Sequence, residues 1–517
     1  MKIGEIVAGS VIDGLIAKLQ LNNPEELRIA YPVIVEGERY DFYCLVEDVM
    51  NEPSDIADQL AGSSISDIVV PRPETHEGYG GPIFYSKAKL RMIQLIDREM
   101  KALSEPQTIP PYFSECRHAT REDVERIYTP TAKSAPLGTI TGVEPFYVHL
   151  DMEKLVEKPF AIFGRTGTGK SILNKIVCTA ILSRDAGSVF IFDMHGEYGV
   201  YSKTDGTEGL KYYFPGKVEI FSLDPKNQEA RPFVLDAAQI TPEDLIIAFQ
   251  DFTPPMIDHI YQIWRTKPRE VDLITAIREH QVTQGEIEGG QIHLMVIQAL
   301  QRRMGRFDRL PFVKPGGKDA FSQMLATIKA GRSVVLDFGD YGTDPMVYLF
   351  VANVLARRLF DLYTEQTGEY PRLVLFLEEA HKFLDPRIAE YSIFSRLARE
   401  TRKFNLILAL IDQRPMRIDD EVRSQLANRL IMSLKEPSDV ESALAGVPDK
   451  AMWMNIVAKL PLRTVAVLGD AIRIPTVIDV LEYDDLKVRK HLLPAAAVDE
   501  STMREISKRA DDIFGRG

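Results

Sequence analysis

The feature that most constrains this chain is a glycine-rich segment that separates an apolar run from a helical pattern. The segment matches the pattern G-x-x-x-x-G-K-[ST] and consists of Gly164, Arg165, Thr166, Gly167, Thr168, Gly169, Lys170 and Ser171. The apolar run 160–163 before it predicts a buried strand, and apolar side chains recur at helical spacing after it, from Ile172 to Ile181. This context makes a chance match a poor explanation, so the segment predicts a phosphate-binding loop, or P-loop.

The residue types in this loop suit a nucleoside triphosphate. Glycines let the backbone wrap closely around phosphates, so that N–H groups and the helix N-terminus face the negative charge. We expect Lys170 to reach the β- and γ-phosphates and the Ser171 hydroxyl to hold Mg²⁺. The sequence therefore predicts ATP and Mg²⁺ as cofactors.

Charge and composition exclude several classes of protein. The chain has 517 residues, a formal net charge of −13 and only three cysteines, which show no metal-binding spacing. An acidic chain is not a basic surface for nucleic acid, so any DNA contact needs locally focused positive charge. No signal peptide is evident and no apolar run approaches the ~18 residues of a membrane span. These features predict a cytoplasmic protein without disulfides or membrane contact.

The order of strand and helix patterns predicts an α/β fold with a mainly parallel sheet, because apolar strand runs alternate with helical stretches. The first ~100 residues are β-rich and fit a small barrel or sandwich. The predicted segments are a β domain at 1–105, a connector at 106–155, the first part of the core at 156–235, a helical insertion at 236–319, the second part of the core at 320–482 and a helical tail at 483–517.

Acidic residues follow two of the predicted core strands. Glu378 and Glu379 come directly after the apolar run 372–377, which is a Walker B arrangement. We assign Glu378 to the Mg²⁺ shell and Glu379 as general base or water-positioning group. The two acids could instead cap the following helix, but the upstream P-loop favours catalysis. Asp193 and Glu197 follow the second core strand and could act on metal-bound water or on a neighbouring subunit, with a capped loop as the alternative.

Two further polar features lie after the Walker B acids, at and before the end of the next predicted core strand. Gln413 ends the next core strand, where an amide can sense the γ-phosphate or orient water. Arg396, Arg399, Arg402 and Lys403 lie on a helical stretch between the two strands. Motor ATPases need a cation at the γ-phosphate, often supplied by a neighbouring subunit, but spacing alone does not choose among these residues.

Several motifs carry a family resemblance. They are the P-loop, Phe192-Asp193-Met194-His195-Gly196-Glu197-Tyr198, Leu377-Glu378-Glu379-Ala380-His381, Ala398-Arg399-Glu400-Thr401-Arg402-Lys403-Phe404 and Gln413-Arg414-Pro415. In order and spacing they resemble the HerA family of DNA translocases, relatives of FtsK, over most of the chain. The resemblance implies a HAS-type N-terminal β-barrel and a RecA-like P-loop ATPase core that carries the helical insertion. It also implies that Lys170, Asp193, Glu379 and Gln413 are active-site residues and that Arg402 is an arginine finger acting in trans.

The resemblance further implies a homo-hexameric ring that moves double-stranded DNA through a central channel with ATP. Family partners are the NurA nuclease, in DNA end resection, and defence effectors such as sirtuin-like NADases or nucleases, in anti-phage defence. The sequence leaves two other functions open. One is an ATP-regulated ring scaffold that assembles and activates a partner effector with little translocation of its own. The other is an unrelated P-loop protein such as a secretion ATPase.

Overall fold

The computed structural model describes most of the chain, and every structural statement below refers to the described part. The described residues are 2–20, 24–53, 84–140, 146–281, 291–316, 319–365, 370–400 and 404–493. Arg402 and residues 494–517 of the predicted helical tail lie outside these ranges. Within them, no helix combines the length and the apolar character that crossing a bilayer requires.

The N-terminal region forms a small antiparallel barrel. Its strands are β1 (Lys2–Ser10), β2 (Gly14–Leu19), β3 (Pro32–Glu36), β4 (Tyr40–Pro53), β5 (Phe84–Asp97), β6 (Leu103–Ser104) and β7 (Glu115–His118). They follow the order β2-β1-β7-β3-β4-β5, and an additional pairing of β2 with β5 closes the ring, with β6 appended to β5. The predicted β-rich domain is therefore a barrel rather than a sandwich.

The barrel strands are apolar on both faces for two different reasons. Val33 and Val35 of β3 point into the barrel interior, whereas Ile34 between them belongs to the core shared with the rest of the chain. Tyr43 and Leu45 of β4 pack on that same outer side. Because side chains alternate across a strand, one face fills the barrel and the other docks it onto the larger domain.

The predicted boundary at residue 105 falls short of the barrel. Strand β7 pairs with both β1 and β3 and so completes the ring from within the predicted connector. Its sequence, Glu-Cys-Arg-His, has no strong strand pattern, and the prolines at 106, 110 and 111 precede it. Strand β7 occupies the place between β1 and β3, because without it each of these two strands would have an unpaired edge.

A second sheet forms the centre of the molecule. Its strands and the short strands around it are β8 (Ser134–Ile140), β9 (Tyr147–Asp151), β10 (Phe160–Phe163), β11 (Ser188–Asp193), β12 (Tyr201–Ser202), β13 (Thr207–Glu208), β14 (Val218–Ser222), β15 (Arg231–Pro232), β16 (Leu235–Asp236), β17 (Val313–Lys314), β18 (Ser333–Asp337), β19 (Leu373–Glu378), β20 (Leu406–Asp412), β21 (Asn428–Met432), β22 (Thr464–Gly469) and β23 (Thr476–Val480). The main sheet runs β15-β14-β18-β11-β19-β20-β10-β21-β22-β23-β8-β9.

The main sheet has a parallel half and an antiparallel half. From β15 to β21 every neighbouring pair is parallel, whereas from β21 to β9 every pair is antiparallel. Strands β8 and β9, which precede the P-loop in sequence, thus join the far edge of the sheet rather than serving as a connector. The parallel half gathers the carboxyl ends of β10, β11, β19 and β20 at one edge, which is where ligands bind in such sheets.

Helices cover the sheet and build the insertion. They are α1 (Arg121–Ile127), α2 (Met152–Leu155), α3 (Lys170–Ser183), α4 (Leu210–Tyr213), α5 (Pro242–Ala248), α6 (Pro254–Thr266), α7 (Leu273–Arg278), α8 (Gln291–Met304), α9 (Ala320–Lys329), α10 (Pro345–Glu365), α11 (Ile393–Glu400), α12 (Asp420–Ser424), α13 (Pro437–Ala443), α14 (Lys450–Lys459) and α15 (Asp485–Lys487). Helix α3, which follows the P-loop, and helix α10 are buried along most of their length, as expected for helices packed between layers.

The insertion, which holds α5 to α8, is fastened to the core by a buried carboxylate. Asp244 on α5 is fully buried and accepts a hydrogen bond from the backbone N–H of Thr241, which caps the helix, at 2.9 Å. It also accepts hydrogen bonds from Asn353 at 2.8 Å and Arg357 at 2.7 Å, both on α10. A buried charge is stable only with such partners, so this cluster fixes how the insertion sits on the core.

Candidate active site

The P-loop follows β10 in the middle of the parallel half of the sheet. Gly167 and Gly169 have φ angles of 78° and 103°, a region that L side chains rarely adopt. A Cβ atom added to Gly164 would lie 2.9 Å from the Met432 Cβ atom and 2.9 Å from the Thr168 hydroxyl. The glycines are therefore required by backbone conformation and by space, as the motif predicts.

The Lys170 side chain lies in the cradle that this loop forms. Its ammonium group donates a hydrogen bond to the Arg165 carbonyl oxygen at 3.1 Å. Burial lowers the pKa of Lys170, and the nearby carboxylates of Glu379, Asp412 and Glu378 act in the opposite direction. The amine is thus held over the loop, where phosphate oxygens would replace its backbone partner.

A cavity of about 540 Å³ opens in front of the loop. It is lined by Thr166, Gly167, Thr168, Gly169, Lys170, Ser171, Ile172, His195, Glu197, Thr204, Asp205, Glu378, Glu379, Ile411, Leu462 and Arg463. The structure therefore gathers the P-loop and both Walker B acids around one cavity, as the sequence predicts from separate motifs.

Glu378, the last residue of β19, is a buried acid beside this cavity. Its Oε1 atom accepts a hydrogen bond of 2.6 Å from the Tyr198 hydroxyl, whereas its buried Oε2 atom has no partner among the described residues. Burial raises the pKa of Glu378 to about 8, and the charges of Asp193, Glu197 and Glu379 act in the same direction. This pKa favours the protonated carboxyl at neutral pH.

Two buried carboxylate oxygens without hydrogen-bond partners among the described residues suit the binding of a cation. Glu197 also has a buried Oε2 atom without a described partner, and Ser171 lines the same cavity. Within the described ranges, no cluster of three or more acidic, histidine or cysteine side chains forms a complete metal cage. Mg²⁺ in ATPases is held mainly by phosphates and water with one or two protein ligands, so the residues present suit it.

Glu379 and Gln413 are brought together at the adjoining strand ends. The Gln413 amide nitrogen lies 3.3 Å and 3.4 Å from the two Glu379 carboxylate oxygens, and its Oε1 atom accepts a hydrogen bond of 2.5 Å from the Thr166 hydroxyl. Glu379 has a φ of 50°, which turns its side chain away from the strand direction. Buried Asp412 accepts a 2.7 Å hydrogen bond from the His381 backbone N–H and fixes the turn. Gln413 therefore bridges the acidic turn and the P-loop.

Asp193, the last residue of β11, holds a loop and does not line the cavity. Its two carboxylate oxygens accept hydrogen bonds of 2.9 Å from the backbone N–H groups of Glu197 and Tyr198. Burial raises the pKa of Asp193 to about 6, and these two hydrogen bonds act in the opposite direction. The arrangement is that of a capped loop, which positions His195 and Glu197 at the cavity.

The described arginines of α11 have partners of their own. Arg399 forms an ion pair with Glu421 at 2.9 Å. The Arg396 guanidinium lies 4.6 Å from the centre of the Phe360 ring and 3.7 Å from a Glu400 carboxylate oxygen. These contacts are intramolecular, and none of them includes a Walker B acid.

Sequence reasoning missed polar residues that reach the cavity from loops. Arg463 lies between α14 and β22 with a φ of 61°, and its backbone N–H donates to the Thr168 carbonyl oxygen at 3.3 Å. Asp205 binds the fully buried ammonium of Lys175 at 2.7 Å, and Thr207 accepts from the same ammonium at 2.7 Å. No motif marks these loop residues. The sequence gives one indication of them: Lys175 lies on the buried face of the helix after the P-loop, and a buried cation requires a partner such as Asp205.

A P-loop on a central parallel strand, with acids and an amide at the neighbouring strand ends, defines a RecA-like P-loop ATPase. Comparison with known families agrees with this class. The family model described as "Helicase HerA, central domain" matches residues 135–359. The matched segment holds the P-loop and the Asp193 motif, so this chain is similar to the HerA family over its central part.

Relatives match well beyond the central domain. The DNA double-strand break repair helicase HerA of Pyrococcus furiosus is 24% identical over 393 residues, which cover 68% of this chain and 70% of that protein. The protein of the same description from Sulfolobus acidocaldarius is 22% identical over 498 residues, which cover 94% of each chain. Among solved structures, the bacterial conjugative coupling protein TrwB matches with a TM-score of 0.48 and 15% identity, over 70% of this chain and 92% of that chain. This last likeness is too distant to bear on function.

Proposed function

We propose that this chain is an ATP-driven translocase of double-stranded DNA. The observation that carries the proposal is the Gln413 bridge, which joins the Thr166 hydroxyl of the P-loop to the Glu379 carboxylate. A group in contact with both the phosphate cradle and the proposed general base can report the state of the nucleotide to the strands behind it. The DNA substrate is supported by relatives that are described as DNA double-strand break repair helicases.

In the proposed mechanism each residue has a separate task. Lys170 and the P-loop N–H groups bind the β- and γ-phosphates, and Glu379 orients and deprotonates the attacking water. Ser171 and Glu378 would hold Mg²⁺, which supplies charge neutralisation at the phosphates. Gln413 positions the Glu379 carboxylate while the γ-phosphate is present. Loss of that phosphate changes the surroundings of the same amide, so its contacts with Thr166 and Glu379 respond to the nucleotide.

The base of the nucleotide has a site of its own in this proposal. A second cavity, of about 420 Å³, adjoins the P-loop and shares Gly169 and Ile172 with the phosphate cavity. Its walls include the apolar side chains of Met432 and Leu481, with acidic Glu482 at the same site. Apolar walls suit a purine ring, and a carboxylate acceptor suits the exocyclic amine of adenine.

The proposal includes a homo-hexameric ring in the cytoplasm, with the DNA in a central channel. Arg402 would act in trans on the γ-phosphate of a neighbouring subunit, because a guanidinium is permanently charged and offers several donors. The proposed partner is a NurA-type nuclease or a defence effector, either sirtuin-like or a nuclease. The family resemblance supports these assignments.

The decisive experiment is steady-state ATPase activity with and without linear duplex DNA across a range of salt concentrations. We expect DNA to stimulate turnover strongly and the stimulation to fade as salt rises, because phosphate contacts release counterions. Glu379→Gln serves as the inactive control. A high rate of ATP hydrolysis that does not change with DNA would refute the translocase. It would favour the ATP-regulated scaffold, whose rate of hydrolysis would respond to a partner protein instead.

A further inference from the structure

A large cavity lies on the side of the main sheet where β10 and β21 begin, opposite to the nucleotide site at the carboxyl ends of the strands. It has a volume of about 950 Å³ and is lined by barrel residues, including Met92 and Gln94, and by residues of the ATPase core. Arg429, second in β21, pairs with Ala161 near the start of β10, whereas the P-loop leaves from the end of β10. The cavity and the P-loop therefore lie towards opposite ends of β10.

Arg429 is a buried cation in the wall of this cavity. The residue is only 7% exposed, and its Nη2 atom donates to the Arg423 carbonyl oxygen at 3.3 Å. Among the residues that the structure describes, no acidic side chain forms an ion pair with Arg429 within 4.0 Å. Burial lowers the pKa of Arg429 to about 10, with the Arg423 charge acting in the same direction, so the guanidinium stays charged at neutral pH.

The neighbouring guanidinium of Arg423 adds positive charge and an open donor. Its Nη1 atom donates to the Pro415 carbonyl oxygen at 3.2 Å, and its Nη2 atom contacts Asp420. Its Nε atom is buried and has no hydrogen-bond partner among the described residues. The charge of Arg423 disfavours the charge of Arg429, and an anion bound close to both would relieve this repulsion.

Four acids share the cavity wall, and none of them forms an ion pair with Arg429 among the described residues: Glu105 lies beyond ion-pair distance of it, and the other three have partners of their own. Asp449 pairs with Arg91 at 3.7 Å, Asp470 pairs with Lys158 at 2.6 Å, and Asp420 pairs with Arg423. A buried charge without an ionic partner destabilises a fold. This loss of stability is expected at a binding site, where the ligand supplies the negative charge that Arg429 lacks.

We propose that this cavity binds the phosphate group of a small phosphorylated molecule, with Arg429 and Arg423 as its ligands. Guanidinium groups match phosphate oxygens geometrically, because they offer paired N–H donors in one plane. The cavity has the volume of a small-molecule site and is far larger than a free phosphate, so it suits a phosphate that belongs to a larger molecule such as a mononucleotide. This site is independent of the P-loop and of the proposed translocation.

Trp453 provides a local reporter, because it lines the cavity and is one of only two tryptophans in the chain. The other, Trp264 on α6, can be replaced by phenylalanine so that the fluorescence reports on Trp453 alone. The full-length Trp264→Phe protein is titrated with inorganic phosphate, with AMP and with a short duplex oligonucleotide, at matched ionic strength in chloride. We expect a saturable response to phosphate or AMP. Arg429→Met should weaken it about ten-fold or more, since it removes charge-assisted hydrogen bonds.

Arg387→Met is the matched control, because it removes the same charge from a residue that is paired with Asp385 and does not line the cavity. It should leave the response unchanged. No response to phosphate or AMP would overturn the proposal, as would a response of equal strength in Arg429→Met. A response to the oligonucleotide alone would also overturn it and assign the arginines to a nucleic-acid backbone.

Thermal unfolding of the natural chain gives a second test without the tryptophan change. In phosphate-free buffer Arg429→Met should melt at the same temperature as the natural chain or higher, because an unpaired buried charge has been removed. Added phosphate should raise the melting temperature of the natural chain more than that of Arg429→Met, and the difference cancels any phosphate binding at the P-loop. A lower melting temperature for Arg429→Met without phosphate would show a satisfied structural arginine and refute the proposal.

Discussion

Replacing Tyr198 by phenylalanine removes the hydroxyl that donates to Glu378 at 2.6 Å and leaves the buried ring in place. That hydrogen bond stabilises the ionised form of Glu378 and thereby lowers its pKa, against the larger effect of burial. The variant should therefore keep Glu378 protonated to higher pH. Because a proposed Mg²⁺ ligand must be ionised, the change should appear as a shift in the pH dependence of nucleotide binding.

The size of the effect follows from the pKa. With a pKa of about 8, about one Glu378 carboxyl in ten is ionised at about pH 7 and about nine in ten at about pH 9. The apparent affinity for ATP with Mg²⁺ should rise about ten-fold across that interval. A hydrogen bond to a charged group contributes about 1.5–3 kcal/mol, so Tyr198→Phe should move the midpoint upward by about 1–2 pH units.

The assay is calorimetric binding of a non-hydrolysable ATP analogue with Mg²⁺ from about pH 7 to about pH 10, so that the shifted midpoint falls within the range, and it is repeated with EDTA. Glu378→Gln should bind more weakly and without the rise. Deprotonation of Lys170, whose pKa burial lowers, would weaken binding at high pH, so it cannot produce the rise. An affinity that stays flat with pH in the natural chain, or a midpoint that Tyr198→Phe does not move, would refute the assignment of Glu378.

Three further predictions test other parts of the site. Gln413→Ala should lower ATP turnover at least about ten-fold while ATP affinity changes little, because the amide positions Glu379 and does not hold the phosphates; a proportional loss of affinity would contradict the bridge. Arg402→Ala should abolish turnover, and mixed rings with Glu379→Gln subunits should recover part of it; absence of recovery in rings verified as mixed would contradict a role in trans. Arg463→Gly should raise the free energy of unfolding by about 1 kcal/mol, since it relieves a left-handed backbone, and should weaken nucleotide binding several-fold; denaturant unfolding and analogue binding check the two effects, and unchanged binding would remove Arg463 from the site.

The sequence was sufficient wherever the pattern is local and strong. The apolar runs that became β10, β11, β19 and β20 are buried on both faces, so their composition alone identifies them. Their carboxyl ends meet at one edge of a parallel sheet, and this places Lys170, Glu378, Glu379 and Gln413 in one site from motif order. The same reasoning grouped Asp193 with them. The structure instead uses the Asp193 carboxylate to cap a loop, a role that one sequence cannot separate from catalysis.

Other elements depend on partners that are distant in the chain. Strand β7 is short and polar, and it exists because β1 and β3 leave a gap between them. Strands β14 and β23 went unpredicted because short runs that include charged residues give weak periodic signals. Arg463 reaches the nucleotide cavity from a loop more than two hundred residues after the P-loop, a proximity that only the folded sheet creates.

The pairing of β8 with β23 limits how this protein can be divided. A fragment that starts shortly before Phe160, at the P-loop strand, would lose β8 and β9 and leave β23 as a bare edge. Such an edge invites pairing with other chains, so that fragment should aggregate even though it retains every catalytic motif. A separable ATPase unit has to begin upstream of Ser134. When the N-terminal barrel is exchanged between related proteins, the junction is therefore expected to lie before β8, so that β8 and β9 stay with the ATPase core.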